Sequence, residues 1–212
     1  MNDYAKLWDA TYVINLKRRP DRLESITKML NDIELPFTRW EAFDKLNVID
    51  EIHKIGNRYS KTGVTACTMS HYSVFRDALE KGYERILVLE DDANIPLDFY
   101  ERVKHIIEDV KDIDSDFDLI ALGSADKYPS VKLTESIRLC QSTLLATANI
   151  YSKNCLEKII NLVDTRDEGK VRKCIDVLLC DDINADDKSY RPEEVFVTII
   201  GGMSDLSNVN RS

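Results

Sequence analysis

The sequence predicts an α/β sandwich with a mostly parallel sheet, and three observations carry that prediction. Short apolar runs alternate with longer stretches whose apolar residues recur at helical spacing. Two of the runs, Tyr12–Leu16 and Ile86–Leu89, are short and apolar enough to be buried core strands. In the last third, strand-like segments lie closer together, which predicts a small antiparallel addition to the sheet.

The elements follow in order. Tyr12–Leu16 is the first strand, and the loop Lys-Arg-Arg-Pro-Asp follows it. Asp21 stands three residues before Glu24, the spacing of a capping box. Leu23, Ile26, Met29, Leu30 and Ile33 then share a helical face, which Pro36 ends. Phe37–Asp44 reads as a second strand with a turn at Asp44, and residues 45–62 as a loop with a short helix. Val64, Cys67, His71, Phe75 and Leu79 line one face of a helix over 63–81, with Gly82 where a helix C-terminus wants a left-handed residue. After the strand Ile86–Leu89, Pro96 suits a first helical turn, and Leu97, Tyr100, Val103, Ile107 and Val110 form an apolar stripe. Asp118–Ser124 reads as a strand ending in a glycine turn, and 125–135 as a polar, flexible loop. Strands are expected in 136–141 and 144–152, a helix in Lys153–Val163, and a charged loop in Thr165–Lys173. A short helix in Cys174–Asp182 and a last strand in Glu194–Gly202 complete the reading, with no internal repeat.

Composition narrows the function. The 212 residues suit one large domain or two small ones, and 43% hydrophobic content builds a core. The 38 acidic residues outweigh the 29 basic ones, giving a formal net charge of −9, which argues against a general nucleic-acid binder but leaves room for a local basic pocket. Five cysteines without a C-x-x-C pair read as reduced thiols in a cytosol-like compartment, with no thiolate zinc site visible. Three histidines exclude a His-rich metal site. The N-terminal stretch lacks the pattern of a signal peptide or membrane span, so any membrane contact is expected to be peripheral. The acceptor pattern Asn210-Arg211-Ser212 is discounted for its place at the chain end.

The run Glu90-Asp91-Asp92 is the sharpest chemical signal. It follows Ile-Leu-Val-Leu directly, at a strand's carboxyl end, where open α/β sheets bind ligands. In extended backbone Glu90 and Asp92 point to one side and could share a hard divalent cation. In so acidic a chain about one three-acid run arises by chance, and a solvated acidic turn is the alternative. An aspartyl-nucleophile phosphatase fits poorly, because Ala93, Asn94 and Ile95 follow. Neither a P-loop nor a G-x-G-x-x-G cradle exists. Lys17, Arg18, Arg19 and Arg22 cluster after the first strand, where arginines could clamp a diphosphate or a nucleobase edge or simply solubilise a turn. Ser70 and His71 are helix neighbours that point apart and cannot act as a nucleophile–base pair.

Taken together, Tyr12–Ile26, Ala42-Phe43-Asp44, Gly63–Ala93 and Ser204-Asp205-Leu206 resemble glycosyltransferase family 25, in the right order and across most of the chain. Residues 118–124 and 146–160 fit more loosely. That family includes bacterial lipooligosaccharide galactosyltransferases and collagen galactosyltransferases. The resemblance implies a GT-A type nucleotide-sugar-binding α/β/α sandwich. It is expected as a single domain over 1–212, with a nucleotide-binding part at about 10–125 and an acceptor-side part at about 126–212. It further implies a UDP-sugar donor, Mn²⁺ or Mg²⁺ on the diphosphate, and inverting transfer to a hydroxyl of a glycan, lipopolysaccharide or collagen-like hydroxylysine.

Carried over by position, the resemblance puts Asn15, Arg18 and Arg22 near the nucleotide and Asp44 near the uridine. Glu90, Asp91 and Asp92 stand at the metal-binding acidic motif, with the metal placed first on Asp92 and then on Glu90. Ser70 and His71 would pack beneath the donor site. Asp176 is the candidate base, with a helix-capping or surface aspartate as its alternative role. Asp181, Asp182 and Asp205 are reserves, and Asp205 could complete the metal shell. Asn149 stands where the family usually has an aromatic, and Lys45 where it has a glycine. The ending Asn-Val-Asn-Arg-Ser is not an ER-retention tail, so a bacterial or viral-host cytoplasmic setting is expected. A catalytically inactive relative serving as a binding module is the competing function, and a phosphohydrolase or nucleotidyltransferase a third.

Overall fold

The computed structural model describes residues 3–46, 62–123, 125–126, 130–141, 143–144, 146–166, 173–203 and 210–211. In chain order the main elements begin with β1 (Ala10–Asn15), α1 (Pro20–Asp32), β2 (Thr38–Glu41), α2 (Thr62–Glu80), β3 (Arg85–Glu90) and β4 (Ala93–Asn94). Next come α3 (Phe99–Ile113), β5 (Leu119–Ala121), β6 (Ala125–Asp126), β7 (Val131–Lys132), β8 (Ile137–Leu139) and β9 (Thr143–Leu144). The chain continues through β10 (Ala148–Ser152), α4 (Lys153–Asn161), α5 (Ile175–Leu178), β11 (Ser189–Pro192) and β12 (Thr198–Ile199).

The large sheet has eight strands in the order β2-β1-β3-β10-β5-β11-β8-β7. Strands β2, β1, β3, β5, β11 and β7 run one way, while β10 and β8 run against them, so the mostly parallel sheet with an antiparallel addition is observed. Each face has its own core. Val13, Leu87, Leu89 and Ile150 face Ile26 and Leu30 of α1 and Phe99, Val103 and Ile107 of α3. Tyr12, Ile14, Ile86 and Val88 face Val74, Phe75 and Ala78 of α2 and Leu156 and Ile159 of α4. The alternation of strand residues between these two layers is what makes β1 and β3 read as unbroken apolar runs.

The path of the chain creates a crevice. From β1 it passes through α1 to β2 on one side, then returns through α2 to β3 on the other. The strand order therefore reverses between β1 and β3, the place where such sheets take ligands.

Several local expectations need correction. Helix α1 begins at Pro20 with Arg19 as its cap, so Asp21 lies inside the first turn and pairs with Arg19 Nη2 at 2.6 Å instead of capping. Helix α3 starts at Phe99, after Pro96, and Leu97 is exposed outside the stripe. The polar segment after 124 is not all loop: β6 pairs with β9, and β7 with β8. Within the expected last strand only Thr198–Ile199 (β12) pairs with β4, outside the large sheet, and the next N–H, of Ile200, donates to Asp92 O at 2.7 Å. Gly82 does adopt φ +71°, the left-handed conformation that ends α2.

Candidate functional site

The carboxyl ends of β1 and β3, the loop after β2 and the first turns of α1 and α2 surround one cleft. Its walls include Arg18, Arg22, Asp44, Cys67, Ser70, Glu90, Asp91 and Asp92. Residues far apart in sequence meet there because β1, β2 and β3 are parallel and end at the same edge.

The acidic run divides in two. Strand β3 stops at Glu90, and Asp91 and Asp92 form a turn, so the simple alternation expected for Glu90 and Asp92 does not extend past Glu90. Glu90 turns to α2: its Oε1 lies 3.4 Å from His71 Nε2 and accepts the Cys67 thiol at 3.7 Å. Asp91 and Asp92 turn to α1. Arg22 Nη1 donates to Asp91 Oδ1 at 2.9 Å and to Asp92 Oδ2 at 3.2 Å. Asn15 Nδ2 reaches Asp91 Oδ2 at 2.8 Å, and Arg39 Nε donates to Asn15 Oδ1 at 3.0 Å. Burial pushes the Asp91 carboxyl above its usual range, and the bonds from Arg22 and Asn15 pull against that rise.

The other positions fall around this centre. Arg18 Nε donates to Asp44 Oδ2 at 2.7 Å, and Asp44 Oδ1 accepts the Leu46 N–H at 3.0 Å. Ser70 Oγ accepts the Phe43 N–H at 2.9 Å and donates to Ala66 O at 2.7 Å, which ties the loop carrying Asp44 to α2. Asp176 sits in the first turn of α5, which is pinned to α2 by Ile175 N–H donating to Thr68 Oγ1 at 2.9 Å. That places its charge close enough to act on Cys67 and Tyr151. Asp181 and Asp182 both take Lys173 Nζ, at 3.2 and 3.0 Å. Asp205 lies outside the described residues. Asn149 is buried on β10, its Nδ2 donating to the Tyr151 hydroxyl at 2.9 Å, so it points into the core.

Two contributors were not among the sequence-derived site residues. Thr68 supplies the acceptor that holds α5, and Cys67 stands beside Glu90. Cys67 and His71 are four apart on one helix face, a spacing visible in the sequence, whereas a search for C-x-x-C pairs passes over it. Thr68 gives no such signal, because its partner is 107 residues away.

The donor set suits a hard divalent cation on the Asp91–Asp92 side. One guanidinium group is shared by two carboxylates there, and carboxylate oxygens are the ligands that Mn²⁺ and Mg²⁺ take.

A family model described as glycosyltransferase family 25 (LPS biosynthesis protein) matches residues 9–165. The human protein called inactive glycosyltransferase 25 family member 3 is 32% identical over 135 residues, 58% of this chain and 23% of its own length. Mouse procollagen galactosyltransferase 2 is 30% identical over 129 residues, 55% of this chain and 21% of its own. The chain thus spans under a quarter of the length of these relatives. A glycosyltransferase involved in glycosylation of the major capsid of PBCV-1 superposes with a TM-score of 0.46 at 10% identity, covering 82% of this chain and 74% of the other.

Proposed function

Because the chain belongs to glycosyltransferase family 25, we propose that it moves a sugar, galactose, glucose or a relative, from a UDP-sugar to an acceptor hydroxyl with inversion at the anomeric carbon. The observation that carries this reading is the single cleft in which Arg18, Asp44, Arg22 and the three strand-end acids converge.

The residues divide the work along that cleft. Arg18 and Asp44, already joined at 2.7 Å, present a donor and an acceptor at one end, suited to a base and ribose. Arg22, which lines the same cleft and bonds Asp91 and Asp92, can turn its guanidinium to a diphosphate. Asp92, with Asp91 beside it, would hold Mn²⁺ or Mg²⁺, and Asp205 remains a candidate; Glu90, expected as the second ligand, is turned instead to Cys67 and His71. When bound, that ion supplies Lewis-acid stabilisation of the departing diphosphate. Asp176 takes the acceptor's hydroxyl proton as the acceptor oxygen bonds to the anomeric carbon. The bond from that carbon to the phosphate oxygen breaks, and its electron pair leaves with UDP. Ser70 and His71 act beneath the cleft, holding the Phe43–Asp44 loop and Glu90 in place.

The acceptor class follows the relatives' range: lipopolysaccharide, another glycan, or a collagen-like hydroxylysine. No helix among the described residues is long and apolar enough to cross a membrane, which allows a diffusible acceptor or a peripheral encounter with a lipid-borne one. We keep the cytoplasmic setting as part of this proposal.

Melting with UDP and Mn²⁺, alone and together, tests the reading, since a ligand bound to the folded state raises Tm. A joint shift larger than either alone is expected, and Asp92→Asn should abolish its metal-dependent part. An unchanged joint shift in that variant would remove Asp92 from the metal shell. A binding module without catalysis is favoured by two observations: a relative at 32% identity described as inactive, and Asn149 buried where it cannot stack on a sugar. Release of UDP from a nucleotide sugar separates the two readings.

A further inference from the structure

Cys67, His71 and Glu90 each bring one ligand atom into a single cluster. The three atoms all lie within 4.8 Å of one another. Two of the edges are known more closely, 3.7 Å for sulfur to oxygen and 3.4 Å for nitrogen to oxygen. Tetrahedral zinc, with bonds of about 2.3 Å to sulfur and about 2.0 Å to nitrogen and oxygen, requires edges of about 3.5 and about 3.3 Å. A good N–H···O bond would instead be about 2.9 Å. The imidazole is wholly buried, and among the described residues its Nδ1 has no hydrogen-bond partner. Nε2 faces the Glu90 carboxylate, and moving the ring proton from it to Nδ1 frees its lone pair for an ion.

We propose that Cys67 Sγ, His71 Nε2 and Glu90 Oε1 form a three-ligand site for a borderline divalent cation such as Zn²⁺, separate from the oxygen-only Asp91–Asp92 side of the cleft. Thiolate, imidazole and carboxylate together select a borderline ion over Mn²⁺ or Mg²⁺. Cys67 and Glu90 both line the cleft, so a fourth coordination position opens toward it. Binding exchanges the thiol proton for the ion: Cys67 Sγ becomes a thiolate, one proton leaves to solvent, and His71 stays neutral with its proton on Nδ1. Because no acceptor backs Nδ1 among the described residues, affinity falls about 10–100-fold below that of a fully supported site. The inference stands apart from the glycosyl-transfer reading, since it concerns only ion binding.

The probe is Co²⁺ added to reduced, metal-stripped protein. One equivalent should give a sulfur-to-cobalt charge-transfer band with intense tetrahedral ligand-field bands, release one proton, and be displaced by Zn²⁺. Cys67→Ser should lose the charge-transfer band while still melting cooperatively, and Glu90→Gln should weaken Co²⁺ binding at least tenfold. Asp92→Asn should keep the band, which separates this site from the donor-site metal. The proposal is overturned if wild type shows no such band, if Cys67→Ser gives an unchanged spectrum, or if Asp92→Asn removes the band. Should Cys67→Ser fail to fold, the Glu90→Gln titration and proton release decide, and unchanged affinity or no released proton counts against the site.

Discussion

Replacing Arg22 with methionine keeps most of the side chain's apolar stem and removes the cation shared by Asp91 and Asp92. Removing one partner of a buried ion pair costs about 3–5 kcal/mol. Here the Arg22 side chain keeps 16% exposure, and Asn15 still donates to Asp91 Oδ2. The expected loss is therefore about 2–4 kcal/mol, or a fall in Tm of about 5–15 °C. Its pH dependence has a definite sign. Burial raises the folded-state pKa of Asp91, so its ionisation costs stability: the cost is absent below the ordinary carboxylate pKa and grows as pH rises through the folded value. Arg22 opposes that cost, so the deficit of Arg22→Met should be largest near neutrality and shrink on acidification. Urea unfolding of both proteins at neutral and mildly acidic pH measures it, and adding Asp91→Asn to Arg22→Met should recover part of the loss. A deficit under about 1 kcal/mol, the size of a surface ion pair, or one that does not change with pH, would refute a buried, Arg22-dependent Asp91.

Three further outcomes follow from other elements. Lys158→Met strips the cation from Asp118, whose side chain is fully buried, and should cost about 2–4 kcal/mol by chemical denaturation. Burial draws the Lys158 ammonium down, but its bonds to Asp118 and Asp186 push it up to about 12, so its contribution should be whole below its ordinary 10.5 and vanish as pH rises through about 12. Thr68→Val orphans the Ile175 N–H and should cost about 1–3 kcal/mol; if Asp176 is the base, turnover falls more than KM changes, read from UDP release. Gly82→Ala meets no neighbour within 4 Å, so the φ of +71° alone should set a loss of about 1 kcal/mol by thermal melting.

Much of the fold was legible because burial imposes local patterns. Strands covered on both faces must be apolar throughout, so β1 and β3 stand out in the sequence, and helix faces must repeat near every third or fourth residue, as Val103, Ile107 and Val110 do. Family 25 membership was likewise readable from the short passages at β1, α2 and β3. Element ends were harder. Asp21 and Pro96 both carry helix-start chemistry, yet the actual starts at Pro20 and Phe99 depend on where the sheet releases the chain.

What the sequence determined on its own is which residues the molecule must bury and which charges it must keep at a strand end. What only the tertiary structure decided is how those charges are shared. Glu90 goes to Cys67 and His71, while its neighbours Asp91 and Asp92 go to Arg22, because β3 ends at Glu90 and the chain turns between two helices on opposite faces of the sheet. The same holds for Asp176, whose helix Thr68 pins to α2 through the Ile175 N–H across more than a hundred residues. Apolar periodicity is a local consequence of burial, but the direction in which a polar side chain finds its partner depends on elements brought together by packing, which no short stretch of sequence encodes.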